Sequence, residues 1–320
     1  MSDTGQNPVR PADGAAPGRV LVVGDLVTDV VAVLGAPVAA GSDTPAAIRF
    51  TGGGQAANTA AWLAALGVPV TLVATVGDDD VGSLRLAELT DAGVDLAVRR
   101  CPSAPTGTVI VLAHGGDRSM VADRGANLSL RARDVDDALQ RFPDAVHLHL
   151  SGYPLLSRQT RPAARHALAA ARTRGMSTSV DAASAAPLRA AGAAEFLDWV
   201  RGTDLLLANA DEAAVLGMAD GLPQPGPVRH LVVKRGASGA VWHGPHRPVE
   251  AAAQPVPVVD PTGAGDAFAA GLLAAWLAAA PGAAAGPDPA DALAHAVRAG
   301  AAAVGLVGAR PTGKLRAPRR

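Results

Sequence analysis

The stretch VVDPTGAGDAFAAG, residues 258 to 271, joins a loop rich in proline and glycine to an apolar helical run. Gly263, Ala264 and Gly265 come directly before that run, so their backbone N–H groups are expected at a helix N-terminus, where aligned peptide dipoles favour an anion. Asp266 follows on the first predicted turn. A carboxylate beside phosphoryl oxygens is repelled unless it has a proton to accept. The pattern therefore indicates either a base beside a phosphate cradle or a helix-capping acid.

A second glycine-rich stretch, TGGGQAANTAAWLAALG, also leads into a predicted helix. Glycines let a ligand approach the backbone closely, and the amide of Asn58, one turn into the helix, offers both a donor and an acceptor to hydroxyl groups. A tight turn into the helix explains the glycines equally well. Asp25 and Asp29 follow the first predicted strand, at the end where open α/β sheets bind ligands. They are interpreted either as acceptors for sugar hydroxyls or as loop charges.

Two further motifs follow predicted strands. In LLLANADEAAVLG, Asn209 ends a strand and Glu212 lies in the first turn of a helix, where acids ordinarily compensate the helix dipole. The same pair is suited to bind a hydrated Mg²⁺ beside phosphates. In VVKRGASGA, Lys234, Gly236 and Gly239 form either a β-turn or a backbone surface for a nucleotide.

From Arg19 onward, apolar β-prone runs alternate with helical patterns. The predicted strands are RVLVVG, VTLVATVG, AVHLHLSG, STSVDA, DLLLAN and HLVVKRG. This alternation is typical of βαβ units around a mostly parallel sheet flanked by helices. Residues 30–51 and 105–123 lack helical patterns and carry turn signals, so they are predicted to form a small β-sheet lid. We expect a disordered tail over 1–18, one α/β domain over 19–313 and a basic tail over 314–320.

Composition excludes several classes of function. The 320 residues are 49% apolar but only 3% aromatic, and 28 basic residues nearly balance 29 acidic ones, so neither a nucleic acid nor a membrane surface is an expected partner. The single cysteine, Cys101, excludes an internal disulfide. The polar N-terminus has no signal-peptide pattern, and the uncharged run 267–280 is shorter than the ~20 residues that span a bilayer. A cytoplasmic protein is predicted.

Together, the motifs resemble the ribokinase family, the PfkB-type carbohydrate kinases. The segments that carry the resemblance occur in the family's order across residues 19–313, namely GGGQAANTA, RGANLSL, NADE, KRGASG and DPTGAGDAFAAG. The resemblance implies a ribokinase-like fold and transfer of a phosphoryl group from ATP, with Mg²⁺, to a small sugar-type hydroxyl compound. It also implies a homodimer through the lid, because lids of relatives often pair.

The resemblance further implies a role for each matching residue. Asp266 would be the general base, with Gly263, Ala264 and Gly265 as the anion hole. The substrate hydroxyls would be held by Asp29, Gly53, Gly54 and Asn58. The nucleotide would be bound by Asn209, Lys234, Gly236 and Gly239. Glu212 would hold Mg²⁺ through water, while Asp260, with residues 304–309, would form a monovalent-cation site for K⁺.

Departures from ribokinase leave the acceptor open. Val27 stands where the resemblance places an asparagine, Gln55 where it places a lysine, and Gly152 and Tyr153 where it places a ribose-contacting glutamate. Ribose is therefore not the expected substrate. A nucleoside kinase and a catalytically silent sugar or nucleotide sensor remain alternatives. A Rossmann oxidoreductase is disfavoured because no G-x-G-x-x-G follows the first strand.

Two patterns are interpreted as coincidental. The sequence GARPTGKL, residues 308 to 315, nearly matches the Walker motif of phosphate-binding loops. However, Leu315 replaces the hydroxyl residue that would hold Mg²⁺. His147 and His149 alternate on one predicted strand and share a face. Without a third ligand nearby, they are predicted to be packed or hydrogen-bonded histidines.

Overall fold

The computed structural model describes residues 18–115, 117–223, 226–278 and 287–311. The predicted disordered tail (except Gly18), the basic C-terminal tail and residues 279–286 lie outside these residues. None of the described helices combines the length and apolar character needed to cross a membrane.

The described residues contain thirteen strands and ten α-helices. The strands are β1 Arg19–Val23, β2 Val27–Leu34, β3 Ala46–Gly53, β4 Val70–Gly77, β5 Asp95–Cys101, β6 Gly107–His114, β7 Asp117–Asp123, β8 Ala145–Ser151, β9 Ser177–Asp181, β10 Leu205–Asn209, β11 His230–Lys234, β12 Ala240–His243 and β13 Val249–Ala251. The helices are α1 Gln55–Ala65, α2 Asp80–Asp91, α3 Ala132–Arg141, α4 Tyr153–Leu156, α5 Arg161–Thr173, α6 Ala185–Ala191, α7 Ala193–Trp199, α8 Ala210–Val215, α9 Ala264–Ala278 and α10 Pro289–Val304.

The large sheet has the strand order β13-β12-β11-β10-β9-β8-β1-β4-β5. Its strands run parallel from β11 to β5, and β12 and β13 add an antiparallel edge. β1 shows why the central strands are apolar throughout. Val20 and Val22 pack into the core on the face of α1, α9 and α10, whereas Leu21 and Val23 pack into the core on the face of α3 and α5. Both faces of the sheet are covered, as expected for parallel sheets, and the predicted fold class is confirmed.

A separate four-stranded sheet has the order β3-β2-β6-β7. β2 and β6 pair in parallel, and the outer strands pair antiparallel. Val30 is opposite Phe50 on one side and Ile110 on the other, and Ile110 is opposite Val121, so the four side chains form a row on one face. Phe50 and Val121 are 69% and 61% exposed. The predicted small β-sheet is thus confirmed, and this apolar row lies on its surface.

The parallel strands bring polar residues to one edge of the large sheet. Asp25 comes just after β1, and the last residues of β8, β9, β10 and β11 are Ser151, Asp181, Asn209 and Lys234. All these strands point the same way, so these five residues gather at the carboxyl edge, where ligands bind in open α/β sheets.

Candidate active site

Asp266 lies in the first turn of α9, directly after the glycine turn. Gly263 has a φ of +77°, and a Cβ there would lie 2.4 Å from the carbonyl oxygen of Ala309, so this turn requires glycine. Asn58 on α1 donates from Nδ2 to Oδ2 of Asp266 at 2.9 Å. Burial raises the pKa of the Asp266 carboxyl to about 8, against the opposing effect of the Asn58 hydrogen bond, and the charge of Asp181 raises it further.

Asn58 is itself held by Arg310, in the segment that follows α10. Arg310 donates from Nε to Oδ1 of Asn58 at 3.0 Å and from Nη2 to the carbonyl oxygen of Gly53 at 2.8 Å. Its Nη1 lies 3.5 Å from Oε2 of Glu88. A guanidinium can only donate hydrogen bonds, so the amide oxygen of Asn58 must face Arg310 and the amide NH₂ must face Asp266. Sequence reasoning missed Arg310, which lies within the rejected Walker-like stretch.

The predicted substrate-binding residues lie together beside Asn58. A Cβ on Gly53 would lie 2.3 Å from the carboxylate of Asp29, so the absence of a side chain lets Asp29 occupy this position. A Cβ on Gly54 would lie 2.5 Å from the carbonyl oxygen of Asp25, which explains the close approach of α1 to the end of β1. Burial raises the pKa of Asp29 to about 6, while the positive charge of Arg310 acts in the opposite direction.

A chain of hydrogen bonds crosses the carboxyl edge of the sheet. Lys234 donates from Nζ to Oδ2 of Asp181 at 2.5 Å, and Gln55 donates from Nε2 to Oδ1 of Asp181 at 3.0 Å. The Ser151 hydroxyl lies 2.6 Å from Oε1 of Gln55 and 3.2 Å from Oδ1 of Asp25, either of which can accept its proton. Gln55, the departure from ribokinase noted in the sequence, therefore bridges two strand ends. The sequence offered no signal for Asp181 or Ser151.

Asn209 and Glu212 form a reciprocal cap at the start of α8. Asn209 donates from its backbone N–H and from Nδ2 to the two carboxylate oxygens of Glu212, each at 2.7 Å, and the Glu212 N–H donates to Oδ1 of Asn209 at 2.8 Å. Burial raises the pKa of Glu212 to about 7, and the charge of Asp181 adds to this effect. Although burial lowers the pKa of Lys234, the charges of Asp181 and Glu212 outweigh it and raise the pKa overall. The capping role anticipated for this motif is present, and its carboxylate lies near Lys234.

Gly236 and Gly239 lie in the turn between β11 and β12. Their φ angles are +55° and +84°, and a Cβ on Gly239 would lie 1.9 Å from the carbonyl oxygen of Ala251. The close approach requires glycine at 239, and the positive φ favours glycine at 236. They lie immediately beyond Lys234, on the carboxyl edge of the sheet.

Asp260 connects the glycine turn to the end of α10. Its Oδ1 accepts the N–H of Thr262 at 2.9 Å, and its Oδ2 accepts the N–H of Gly308 at 3.0 Å. The backbone N–H groups of Val259 and Asp260 both donate to the carbonyl oxygen of Val304. The acid and the segment 304–309, which the family resemblance assigns to one cation site, are therefore adjacent.

The two histidines of β8 have hydrogen-bond partners on β9, as predicted. His147 lies 2.7 Å from the hydroxyl oxygens of Ser177 and Ser179 through its two ring nitrogens, and His149 lies 2.8 Å from Ser179 through Nδ1. Burial lowers the pKa of His147 to about 3 and that of His149 to about 4, so both are neutral near pH 7. Across the described ranges, no three His, Cys, Asp or Glu side chains are grouped to hold a metal ion by themselves.

Comparison with known proteins identifies the family of the chain. Residues 18–314 match the model of the pfkB family carbohydrate kinases. An ATP-dependent ribose-1-phosphate kinase of Halopiger xanaduensis is 34% identical over 91% of this chain and 94% of its own length. A 2-dehydro-3-deoxygluconokinase of Thermoproteus tenax is 34% identical over 83% of this chain and 85% of its own.

Solved structures show the same architecture. An Escherichia coli protein provisionally named ribokinase II, solved with ATP and Mg²⁺, superposes with a TM-score of 0.75 at 26% identity, covering 91% of this chain and 94% of its own. The adenosine kinase of Sinorhizobium meliloti shares the fold with a TM-score of 0.80 at 23% identity, covering 93% and 97%. The chain belongs to the pfkB family, and it is an ATP-dependent carbohydrate kinase with a ribokinase-like fold.

Proposed function

We propose that this protein transfers the γ-phosphoryl group of ATP to a hydroxyl of a sugar or sugar-like small molecule, with Asp266 as the general base. The observation that carries the proposal is the position of the Asp266 carboxylate. It lies in the first turn of α9, beside the glycine turn, and the Asn58 amide donates to it at 2.9 Å. A base here would reach both a hydroxyl bound beside Asn58 and a phosphoryl group bound at the glycine turn.

The acceptor would lie between Asp266 and the residues around β2 and α1. Asp29 would accept hydrogen bonds from acceptor hydroxyls, and Gly53 and Gly54 would let the acceptor approach the backbone. As the hydroxyl oxygen attacks phosphorus, its proton passes to the carboxylate of Asp266. A pKa of about 8 supports this role, because a base is most effective when its pKa lies near the working pH.

The backbone N–H groups of Gly263, Ala264 and Gly265 would stabilise the charge on the transferred phosphoryl oxygens, helped by the dipole of α9. This 15-residue helix provides a full N-terminal dipole. Preorganised donors of this kind often supply the largest share of catalysis in phosphoryl transfer, where positioning and charge stabilisation dominate.

The nucleotide would bind across the ends of β10 and β11, against Asn209, Lys234, Gly236 and Gly239. Mg²⁺, held through water by Glu212, would neutralise charge on the phosphate oxygens. Glu212 is the candidate for this role because it lies in the first turn after β10, at the carboxyl edge, and the charge of Lys234 counteracts the upward shift of its pKa. Asp260 with segment 304–309 is the proposed site for K⁺, where carbonyl oxygens of the segment after α10 would complete the coordination.

A second copy of this chain is the proposed partner for the small sheet. The row Phe50, Val30, Ile110 and Val121 leaves apolar side chains in water, and Ile48 adds to the same face with 59% of its surface exposed. Burying such a face against a second copy would remove it from water. Light scattering at micromolar concentration is expected to give the mass of a dimer, and a monomer would contradict this assembly.

The kinase proposal is tested by measuring ADP release from MgATP with K⁺ present. The acceptors are ribose, ribose-1-phosphate, fructose, fructose-1-phosphate, 2-dehydro-3-deoxygluconate and adenosine, with the Asp266→Ala protein as control. We expect release that depends on one acceptor class and is lost in the control. If no acceptor in this panel causes ADP release although ATP binding is measurable, the proposed acceptor class is contradicted and a sugar or nucleotide sensor is favoured.

A further inference from the structure

Arg124 lies at the exit of the small sheet, directly after β7, and its backbone is firmly held. Asn127 donates from Nδ2 to the carbonyl oxygens of Arg124 and Leu26, each at 3.0 Å, and accepts the N–H of Leu26 at 2.9 Å. The backbone of Arg124 is therefore tied to the segment between β1 and β2. Only the side chain of Arg124 is left to rearrange.

The guanidinium of Arg124 lies over an aromatic ring at the carboxyl edge of the sheet. Its Cζ is 3.6 Å from the centroid of the Tyr153 ring, and its Nη1 donates to Oδ2 of Asp25 at 3.2 Å. The side chain of Asp25 is 5% exposed, whereas that of Arg124 keeps 26% of its surface in water. The ring thus supports one face of the guanidinium, and part of the cation faces solvent.

A cavity opens at this point. It is lined by Gly24, Asp25, Arg124, Tyr153, Ser157 and Thr160, among others. Asp25, which lines the cavity, accepts the N–H of Ala56 at 3.5 Å, and Asn58, two residues further along α1, donates to Asp266 at 2.9 Å. The cavity and the proposed base therefore both adjoin the first turn of α1. Burial of the Tyr153 hydroxyl, together with the charges of Asp25 and Asp266, raises its pKa. The same wall contains Tyr153, which with its neighbour Gly152 stands where the resemblance to ribokinase expects a ribose-contacting glutamate.

Arg124 gives this wall a cation that keeps 26% of its side chain in water, where an anionic ligand can reach it. Where the resemblance expects a glutamate this chain has Gly152 and Tyr153, and the guanidinium of Arg124, from the segment after β7, lies over the Tyr153 ring. If Arg124 turned to a ligand, Oδ2 of Asp25 would lose its hydrogen bond, while Oδ1 would keep its contacts with the Ser151 hydroxyl at 3.2 Å and the backbone nitrogen of Ala56 at 3.5 Å. A planar guanidinium stacked on a ring presents its edge as a fork that matches carboxylate and phosphate oxygens.

We infer that the acceptor carries an anionic group, a phosphate or a carboxylate, which binds Arg124 above the Tyr153 ring while the acceptor hydroxyl faces Asp266. This inference rests on the proposed kinase function and names the acceptor class for the same site. The competing explanation is that Arg124 only neutralises buried Asp25. The two explanations differ in whether Arg124 discriminates between charged and neutral acceptors.

The test compares acceptors that share a sugar part and differ in whether they carry the anionic group. The phosphate pair is ribose-1-phosphate with methyl riboside, and the carboxylate pair is 2-dehydro-3-deoxygluconate with its methyl ester. For at least one pair, we expect the wild-type kcat/KM to be about 10- to 100-fold higher for the anion, the effect of one or two hydrogen bonds to a charged group. The pair that shows the difference identifies the anion as phosphate or carboxylate. Equal or better turnover of both neutral partners would overturn the inference.

Substitutions locate the discrimination. We expect Arg124→Gln to remove most of the preference for the anion and Arg124→Lys to keep part of it. Arg133→Gln, at an arginine on α3 whose side chain is 86% exposed, is the matched control and should keep the full preference. Thermal unfolding shows whether each variant is folded. If Arg124→Gln lowers kcat/KM equally for charged and neutral acceptors, the residue only neutralises Asp25 and the inference is wrong.

Calorimetry without ATP separates this inference from the kinase proposal. Ribose-1-phosphate, or 2-dehydro-3-deoxygluconate if the first test selects a carboxylate, is titrated into wild type, Arg124→Gln and Arg133→Gln. Weaker binding only in Arg124→Gln supports the anion site even if no acceptor in the panel releases ADP, in which case the kinase proposal alone fails. Binding that is unchanged in Arg124→Gln overturns the anion site even if the kinase is active.

Discussion

Arg310 donates from Nε to the side-chain oxygen of Asn58 at 3.0 Å, and this contact determines which side of the Asn58 amide meets Asp266. The amide could otherwise rotate by half a turn and place its oxygen against the carboxylate. Arg310 comes from the segment after α10, whereas Asn58 lies on α1, so the contact joins two distant parts of the chain beside the proposed base.

Replacing Arg310 with lysine keeps the positive charge but removes the fork that reaches Asn58 and Gly53 together. We expect kcat/KM to fall about 10- to 100-fold, because a misplaced base is costly even when it is present. The pKa of Asp266 should also rise, since the Asn58 hydrogen bond lowers it, so the pH at which kcat/KM reaches half its maximum should increase. Arg298→Lys, at an exposed position on α10, is the control. A pH profile identical to that of wild type would show that Arg310 does not act through Asn58.

The pH dependence of kcat/KM follows from the pKa of Asp266. The carboxyl must be ionised to accept a proton, and its pKa is about 8, raised by burial. We expect kcat/KM to rise with pH and to level off above about pH 8, falling about tenfold per pH unit below it. Initial rates at low acceptor concentration from pH 5.5 to 9.5 measure this limb. A flat profile across that range would contradict an ionising base with this pKa.

The same carboxyl should destabilise the fold at high pH. The pKa of Asp266 is about 8 in the folded chain against an ordinary value of 3.8, so the folded state holds a proton that the unfolded chain releases. Its contribution to stability is therefore fully present below about pH 4 and is lost as pH rises through 8. We expect Asp266→Asn to raise the unfolding temperature relative to wild type, and more at pH 8.5 than at pH 5.

Calorimetric scans at the two pH values measure this difference. Asp137→Asn, at an aspartate whose side chain is 63% exposed, is the matched control and should show no comparable widening with pH. An Asp266→Asn protein that is less stable than wild type at pH 8.5 would mean that the ionised carboxylate is well satisfied in the free protein.

Gly53 should control the position of Asp29. A Cβ at Gly53 would lie 2.3 Å from the Asp29 carboxylate, so Gly53→Ala must displace that group. We expect the KM for the acceptor to rise about tenfold, the loss of one hydrogen bond to a charged group, with little change in the KM for ATP. Gly35→Ala is the control, because the nearest atom to a Cβ added at Gly35 is 4.0 Å away. An equal rise in both KM values would indicate a general disturbance of the fold.

Much of the large sheet could be predicted because its strands are buried on both faces. The apolar, β-branched runs VTLVATVG and RVLVVG predict strands, and they correspond to β4 and β1. β5 was missed, because its sequence DLAVRRC has charged residues and its side chains are mostly half-buried or exposed at the edge of the sheet. The short antiparallel strands β12 and β13 were also missed, since runs of four and three residues carry little periodic pattern.

The candidate site was predictable where a motif lies within a few residues. The glycine turn before Asp266, the glycines before Asn58 and the Asn209–Glu212 cap are all local patterns, and the parallel sheet brings them to one edge. Arg310 was missed, and Arg124 was given no role although it begins the segment RGANLSL, because their partners are remote. Arg310 bonds Asn58 across 252 residues, and Arg124 bonds Asp25 across 99. No spacing rule links such pairs. Their contacts depend on how the segment after α10 and the exit of the small sheet pack onto the large sheet.

The most direct test of the account is the turnover of Asp266→Asn with MgATP and the best acceptor of the panel. The substitution keeps the shape of the side chain and a group that can accept the Asn58 hydrogen bond, but it removes the ability to take a proton at neutral pH. We expect turnover to fall at least ~10²-fold, while the Kd for ATP stays within about twofold and the protein remains folded. Turnover close to that of wild type would contradict the assignment of Asp266 as the general base.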